Sequence, residues 1–218
     1  MKTTELFDLS GTIAAPLLEQ CEYPWQALAG IKGFILERGA TLGDDFEKIG
    51  EDVWIAKDAK VAPTAYIGGP CIIDHGAEIR HCAFIRGAAI VGKGATVGNS
   101  TELKNCILFD KAQAPHYNYV GDSILGIRAH LGAGAITSNL KSDGSNVVVK
   151  SEPPLETGLR KIGALVGDYT EVGCGSVLNP GSVIGKRCQL YPLSMFRGVL
   201  AADSIYKKQG EVVQRIKD

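Results

Sequence analysis

Apolar residues recur through the middle of the chain at a spacing of six: Ile49, Ile55, Val61, Ile67, Ile73, Ile79, Ile85, Val91, Val97, Leu103 and Phe109. A period of six matches neither the 3.6 of an α-helix nor the 2 of a half-buried strand. Four residues after the large one, most hexads place a small one, as at Ala59, Ala65, Cys71, Ala77, Ala83, Ala89 and Ala95. One large and one small inward residue per side fill a narrow three-sided prism. Gly50, Gly68, Gly92 and Gly98 follow the aliphatic residue, where the chain turns a corner. The pattern predicts an all-β solenoid, a parallel β-helix of hexapeptide repeats in which each coil buries its neighbours. Three hexads make one coil, so residues 18 apart stack at the inter-strand spacing of about 4.8 Å.

Tyr119, Leu125 and Leu131 resume the frame, and Val166, Val172, Leu178, Ile184 and Leu190 extend it. Two stretches fall out of it, 110–118 and 141–161, the second carrying Pro153 and Pro154. Long loops in compact folds tend to be functional or mobile. Three parts are expected. Residues 1–48 form an N-terminal segment, helical around Trp25, Leu28 and Ile31, that caps the exposed strand edges of the first coil. Residues 49–198 form the solenoid of about six coils, with 141–161 as a loop insertion. Residues 199–218 form a short helix from an Asp203 N-cap, with Ile205, Val212 and Val213 on one side and Lys207, Lys208, Arg215 and Lys217 beside them.

Composition removes several classes. A net charge of −1 leaves no nucleic-acid footprint. No apolar run approaches 18 residues and no signal peptide opens the chain, so neither a membrane span nor export is expected. The six cysteines form no CxxC pair, and Cys71 and Cys188 hold inward positions, which suits reduced core thiols in a cytoplasmic protein.

Chemistry concentrates after residue 85. Arg86 and Lys104 are 18 apart and each follows its aliphatic residue, so they stack at one corner. Two cations about 5 Å apart repel; a phosphate between them suits a guanidinium fork and an ammonium alike. Two solvated surface charges are the competing reading. His116, just beyond the Lys104 coil, is a candidate general base of near-neutral pKa, or an ordinary surface histidine. His75 and His81 lie one hexad apart on different faces, which disfavours a shared metal, and no metal is expected. Gly132-Ala133-Gly134-Ala135 reads as a smooth strip of wall for a long ligand or as simple corner chemistry.

With these residues in view, 79–140 resemble the acetyltransferase domain of the bifunctional enzyme that makes UDP-N-acetylglucosamine. The stretches that carry the likeness are Val97–Asn105, Pro115–Asp122 and Leu131–Asn139, in matching order. Asn139-Leu140 and Thr157–Asp168 are similar to archaeal-type sugar-1-phosphate nucleotidyltransferases with a C-terminal β-helix. The resemblance implies a left-handed β-helix and an acetyl-CoA-dependent N-acetyltransferase acting on an amino-sugar 1-phosphate between subunits of a homotrimer. It implies His116 as catalytic base, Asn139 as an active-site asparagine, Arg86 and Lys104 on the sugar phosphate, and Tyr119 at the sugar. His130 stands at a substrate asparagine, Ala133 lies against acetyl-CoA, Cys174 replaces a CoA-contacting serine, and Lys207 or Lys208 lies near the CoA phosphate. Pro115 replaces a glycine, and lysines expected at Ser145 and Val148 are absent, with Lys141 or Lys150 as substitutes. Residues 1–48 are too short for a nucleotidyltransferase domain, so that activity is not expected from this chain alone. The alternative is a sugar-phosphate or sugar-nucleotide binding module, or a partner of a separate nucleotidyltransferase.

Overall fold

A computed structural model of the chain describes residues 1–215 and folds them into the expected left-handed parallel β-helix, with short helices confined to the N-terminal segment. One prism face is a nine-stranded sheet running from Lys60–Val61 to Glu211–Gln214, parallel except at its last pair. The other two faces share a fourteen-stranded sheet, because Glu102–Leu108 and Tyr119–Leu125 run round a corner and pair on both. The stack is therefore taller than the six coils the hexads suggest. Corners are turned by left-handed backbone, in one column at Cys82, Ser100 and Tyr117 with φ of 57°, 52° and 51°. Such a residue costs about 1–2 kcal/mol when it is not glycine, and the ladder of bonds between coils offsets it.

The interior is the predicted one, from Ile55 and Ile73 through Val97 and Leu131 to Ile184 and Leu190. The frame departs from strict sixes at named places. Leu108, not Phe109, stacks on Val91, and Val120, not Tyr119, stacks on Leu103. The steps from Leu103 to Leu108 and from Val120 to Leu125 are five residues, tightened by left-handed Asn105 and Asp122. These shortened steps explain why 110–118 looks out of frame. It stays in the prism, since Gln113–His116 pairs with Thr96–Asn99 and with His130. Ile49 is exposed and lies outside the prism.

The outward residues of one face form a second core. Trp54, Ile72, Ile90, Ile107, Ile124, Leu165 and Val183 are buried beneath Leu6, Phe7, Leu18, Trp25, Leu28, Ile31 and Ile35. The N-terminal segment thus lies along the flank of several coils instead of closing the end. Only Phe46–Lys48 caps, adding an antiparallel strand to Val53–Ala56. The physical reason is that this face alternates apolar on both sides, so it needs a cover. Buried Asp168 ties the cover down: it accepts from the Asp8 N–H at 2.8 Å and the Ile127 N–H at 2.9 Å, beside Lys186 at 3.0 Å. The insertion joins the same cover: Val147 and Val149 are buried in it with Ile162 just beyond, and Leu155, Val149's partner in the small hairpin of Val148–Val149 with Leu155–Glu156, packs against it.

The C-terminal helix does not form. Val199–Leu200 and Ser204–Lys208 continue the coils, and Glu211–Gln214 turns back as a hairpin. Leu200 stacks on Ile184 and Tyr206 on Leu190, each 16 residues on. A coil two residues short, turned at Gly198 with φ 105°, hid this continuation from the hexad count. Tyr206 then plugs the end against Phe196, ring centroids 5.1 Å apart. Lys217 lies outside the described residues.

Candidate active site

Three of the expected site residues stack in one column. His116 pairs in register with Asn99, its carbonyl accepts the Gly134 N–H at 3.0 Å, and the Ala133 carbonyl accepts the Gly175 N–H at 2.8 Å. His116, Ala133 and Cys174 therefore follow one another up the edge of the nine-stranded face. The column beside them runs Gly98, Pro115, Gly132 and Gly173, and at its glycines backbone of the next coil comes close. A Cβ on Gly98 would sit 1.5 Å from the Pro115 carbonyl oxygen. Lys207 and Lys208 directly follow Tyr206, which stacks on Leu190, so they stand at the far end of this edge. Both pair with Glu211, at 3.4 and 3.5 Å. His116 is exposed, and its backbone N–H donates to the Asn118 side chain at 3.0 Å. Buried Asn118 in turn donates to the Gly132 and Ala135 carbonyls at 2.8 and 2.9 Å, which fixes the corner.

Across that corner lies a polar cluster. Arg86 and Lys104 do occupy successive coils, as their spacing requires, since Ile85 registers with Leu103. Neither cation is free. Arg86 donates to Glu102 at 2.8 Å, and Lys104 donates to both Asp122 oxygens at 3.1 and 3.0 Å. Asp122 is 4% exposed and also accepts from Asn105 at 2.9 Å and from Asn139. Asn139 further donates to the Tyr119 hydroxyl at 3.2 Å. Burial, then the nearby Asp122 carboxylate, push the Tyr119 phenol above its ordinary pKa. Its ring lies over Gly121, where any Cβ would meet the hydroxyl at 2.4 Å.

Asp122 and Glu102 are the site residues that sequence reasoning missed. A signal existed: Asp122 follows Lys104 by 18 residues, as Lys104 follows Arg86. His130 falls elsewhere. It stacks on Gln113, three residues before His116 on the neighbouring coil, and its Nδ1 meets Glu171 at 2.7 Å. Lys141 points to Ser145 and Asp143 within the insertion. Among the described residues no cluster of His, Cys, Asp and Glu is arranged to hold a metal, and no helix is long and apolar enough to cross a membrane. The arrangement offers an accessible imidazole beside a flat glycine-lined wall, with charged hydrogen-bonding groups one corner away.

Residues 67–158 match the GMPPB C-terminal domain family. The bifunctional protein GlmU of Methanococcus maripaludis is 33% identical over 115 residues, covering 53% of this chain and 28% of that protein. The bifunctional sugar-1-phosphate nucleotidylyltransferase/acetyltransferase of Sulfurisphaera tokodaii is 33% identical over 94 residues, covering 43% and 23%. The chain thus spans about a quarter of the length of these curated relatives. Among solved structures, the acetyltransferase domain of PglB from Neisseria gonorrhoeae, in complex with acetyl coenzyme A, aligns with a TM-score of 0.35 at 14% identity, covering 82% of this chain and 62% of that one. By fold the chain is a hexapeptide-repeat β-helix protein, and its central stretch is similar to the C-terminal domain of the GMPPB family and to sugar-1-phosphate nucleotidyltransferase/acetyltransferases.

Proposed function

We propose that this protein is an acyl-CoA-dependent N-acyltransferase acting on an amino-sugar 1-phosphate, with acetyl-CoA as the acyl donor. One observation carries the reading: His116, Ala133 and Cys174 share a column beside the glycine-lined wall, one corner away from Arg86, Lys104, Asp122, Tyr119 and Asn139. The pantetheine arm lies along the wall toward Lys207 and Lys208. His116 takes the proton from the sugar ammonium, and the freed nitrogen attacks the thioester carbonyl. A backbone N–H near Ala133 stabilises the tetrahedral oxyanion. The C–N bond forms, the C–S bond breaks, and the proton that the amide nitrogen sheds passes to the departing CoA thiolate. Arg86 and Lys104 hold the phosphate, which displaces or joins Glu102 and Asp122. The chain works as a homotrimer in the cytoplasm; exposed Tyr66 and Phe84, stacked on successive coils with ring centroids 5.5 Å apart, offer apolar contact surface.

The test is CoA release by the purified chain with acetyl-CoA and a panel of amino-sugar 1-phosphates, with mass by light scattering alongside. Turnover on one of them by a species near three chains is expected. Saturable sugar-phosphate binding without CoA release would overturn the enzyme reading in favour of a binding module.

A further inference from the structure

We propose a second ligand site, for a nucleoside phosphate, on the opposite edge of the nine-stranded face, with Lys111 and Arg128 holding the phosphate and Tyr169 the base. It goes beyond the acyl-transfer reading and does not depend on it. A groove of about 810 Å³ opens there, walled by Lys111, Gln113, Arg128, His130, Tyr169 and Glu171. Gln113 registers with His130, so Lys111 and Arg128 stand on successive coils, in left-handed corners with φ of 60° and 53°. The Tyr169 N–H bonds the Ile127 carbonyl at 2.7 Å, which places Tyr169 next in that column, also left-handed at 60°.

Four cations elsewhere on the prism carry a carboxylate: Arg86 has Glu102, Lys104 has Asp122, Lys186 has Asp168 and Arg187 has Asp203. Among the described residues neither Lys111 nor Arg128 has such a partner. Two acids stand nearby without a salt bridge to either cation. Glu171 pairs with His130 at 2.7 Å, and Asp110 accepts the Lys93 N–H at 2.9 Å. Like charges carried on backbones about 5 Å apart repel. One phosphate between them removes the repulsion and suits both heads, bidentate at the guanidinium and as a point charge at the ammonium. Tyr169 is 49% exposed. A ring left in water beside a phosphate site is a stacking surface for a base.

The experiment is calorimetric titration of the full chain with AMP, UMP and inorganic phosphate, and with the variants Lys111→Ala, Arg128→Ala, Tyr169→Ala and Lys32→Ala. Circular dichroism checks each fold, and Lys111→Met serves where the alanine variant fails. Salt-sensitive binding of a nucleotide is expected. Loss of either cation should weaken it about tenfold or more, Tyr169→Ala should weaken the nucleotide and spare phosphate, and Lys32→Ala, on the exposed side of the N-terminal helix Ile31–Gly39, should change nothing. No saturable binding at millimolar ligand overturns the site. So does binding that survives the combined Lys111→Ala and Arg128→Ala change. Equal binding of phosphate and nucleotide, indifferent to Tyr169, overturns the nucleotide assignment.

Discussion

Asp122 lies one coil beyond Lys104 and receives its ammonium on both carboxylate oxygens, at 3.1 and 3.0 Å. The same carboxylate collects Asn105 and Asn139, so one buried acid organises three donors contributed by two other coils. Its removal leaves those donors without their acceptor inside a packed corner.

Asp122→Ala should therefore destabilise the fold by about 1–3 kcal/mol, the cost of buried polar groups left unsatisfied. Urea denaturation measures it. Lys104→Ala should cost less, because Asn105 and Asn139 still satisfy Asp122. Equal effects would mean that the ion pair, not the network, is what matters.

His75 should make stability fall as pH rises. Its Nε2 meets Asp45 at 2.9 Å and its Nδ1 meets Asp58 at 3.0 Å. Burial lowers its pKa, but the two carboxylates outweigh burial and raise it above the ordinary 6.5. A raised folded pKa gives stabilisation that is complete below 6.5 and is lost as pH climbs through the folded value. The urea midpoint of the wild type should exceed that of His75→Gln at pH 6 and approach it in mildly alkaline buffer. A gap that widens with pH would contradict the bridge.

His116→Ala should lower kcat by about 10²–10⁴-fold, the usual contribution of a general base, with CoA affinity nearly unchanged. His130→Ala should leave kcat close to wild type, since its imidazole is engaged with Glu171 outside the His116 column. The reverse ranking would move the base to His130.

Phe109→Ala should cost about 3–5 kcal/mol. Its ring is fully buried and meets Phe7 with centroids 5.0 Å apart, joining the N-terminal segment to the prism. Faster proteolysis within residues 1–42, alongside the lower denaturation midpoint, would mark the loss of that joint. An unchanged midpoint would place the segment's anchorage elsewhere, at Asp168.

The hexads alone determined the prism, most of its inward residues and the stacking of Arg86 on Lys104, because a side chain every sixth residue is buried by its own neighbours along the chain. They left His116 in a stretch that falls out of the frame, so its place in one column with Ala133 and Cys174 came from the structure. What the spacing did not determine followed from shortenings of one or two residues. Five-residue steps after Leu103 and Val120 turned Phe109 and Tyr119 outward, and a short last coil made strands of an apparent helix. Periodicity is blind to such steps, since a left-handed corner absorbs a residue without disturbing the burial on either side. Only the tertiary structure decided which face the N-terminal segment covers and which carboxylates neutralise Arg86 and Lys104. Those contacts join residues on different coils or distant segments, and they depend on where side chains from separate corners meet rather than on any period in the chain.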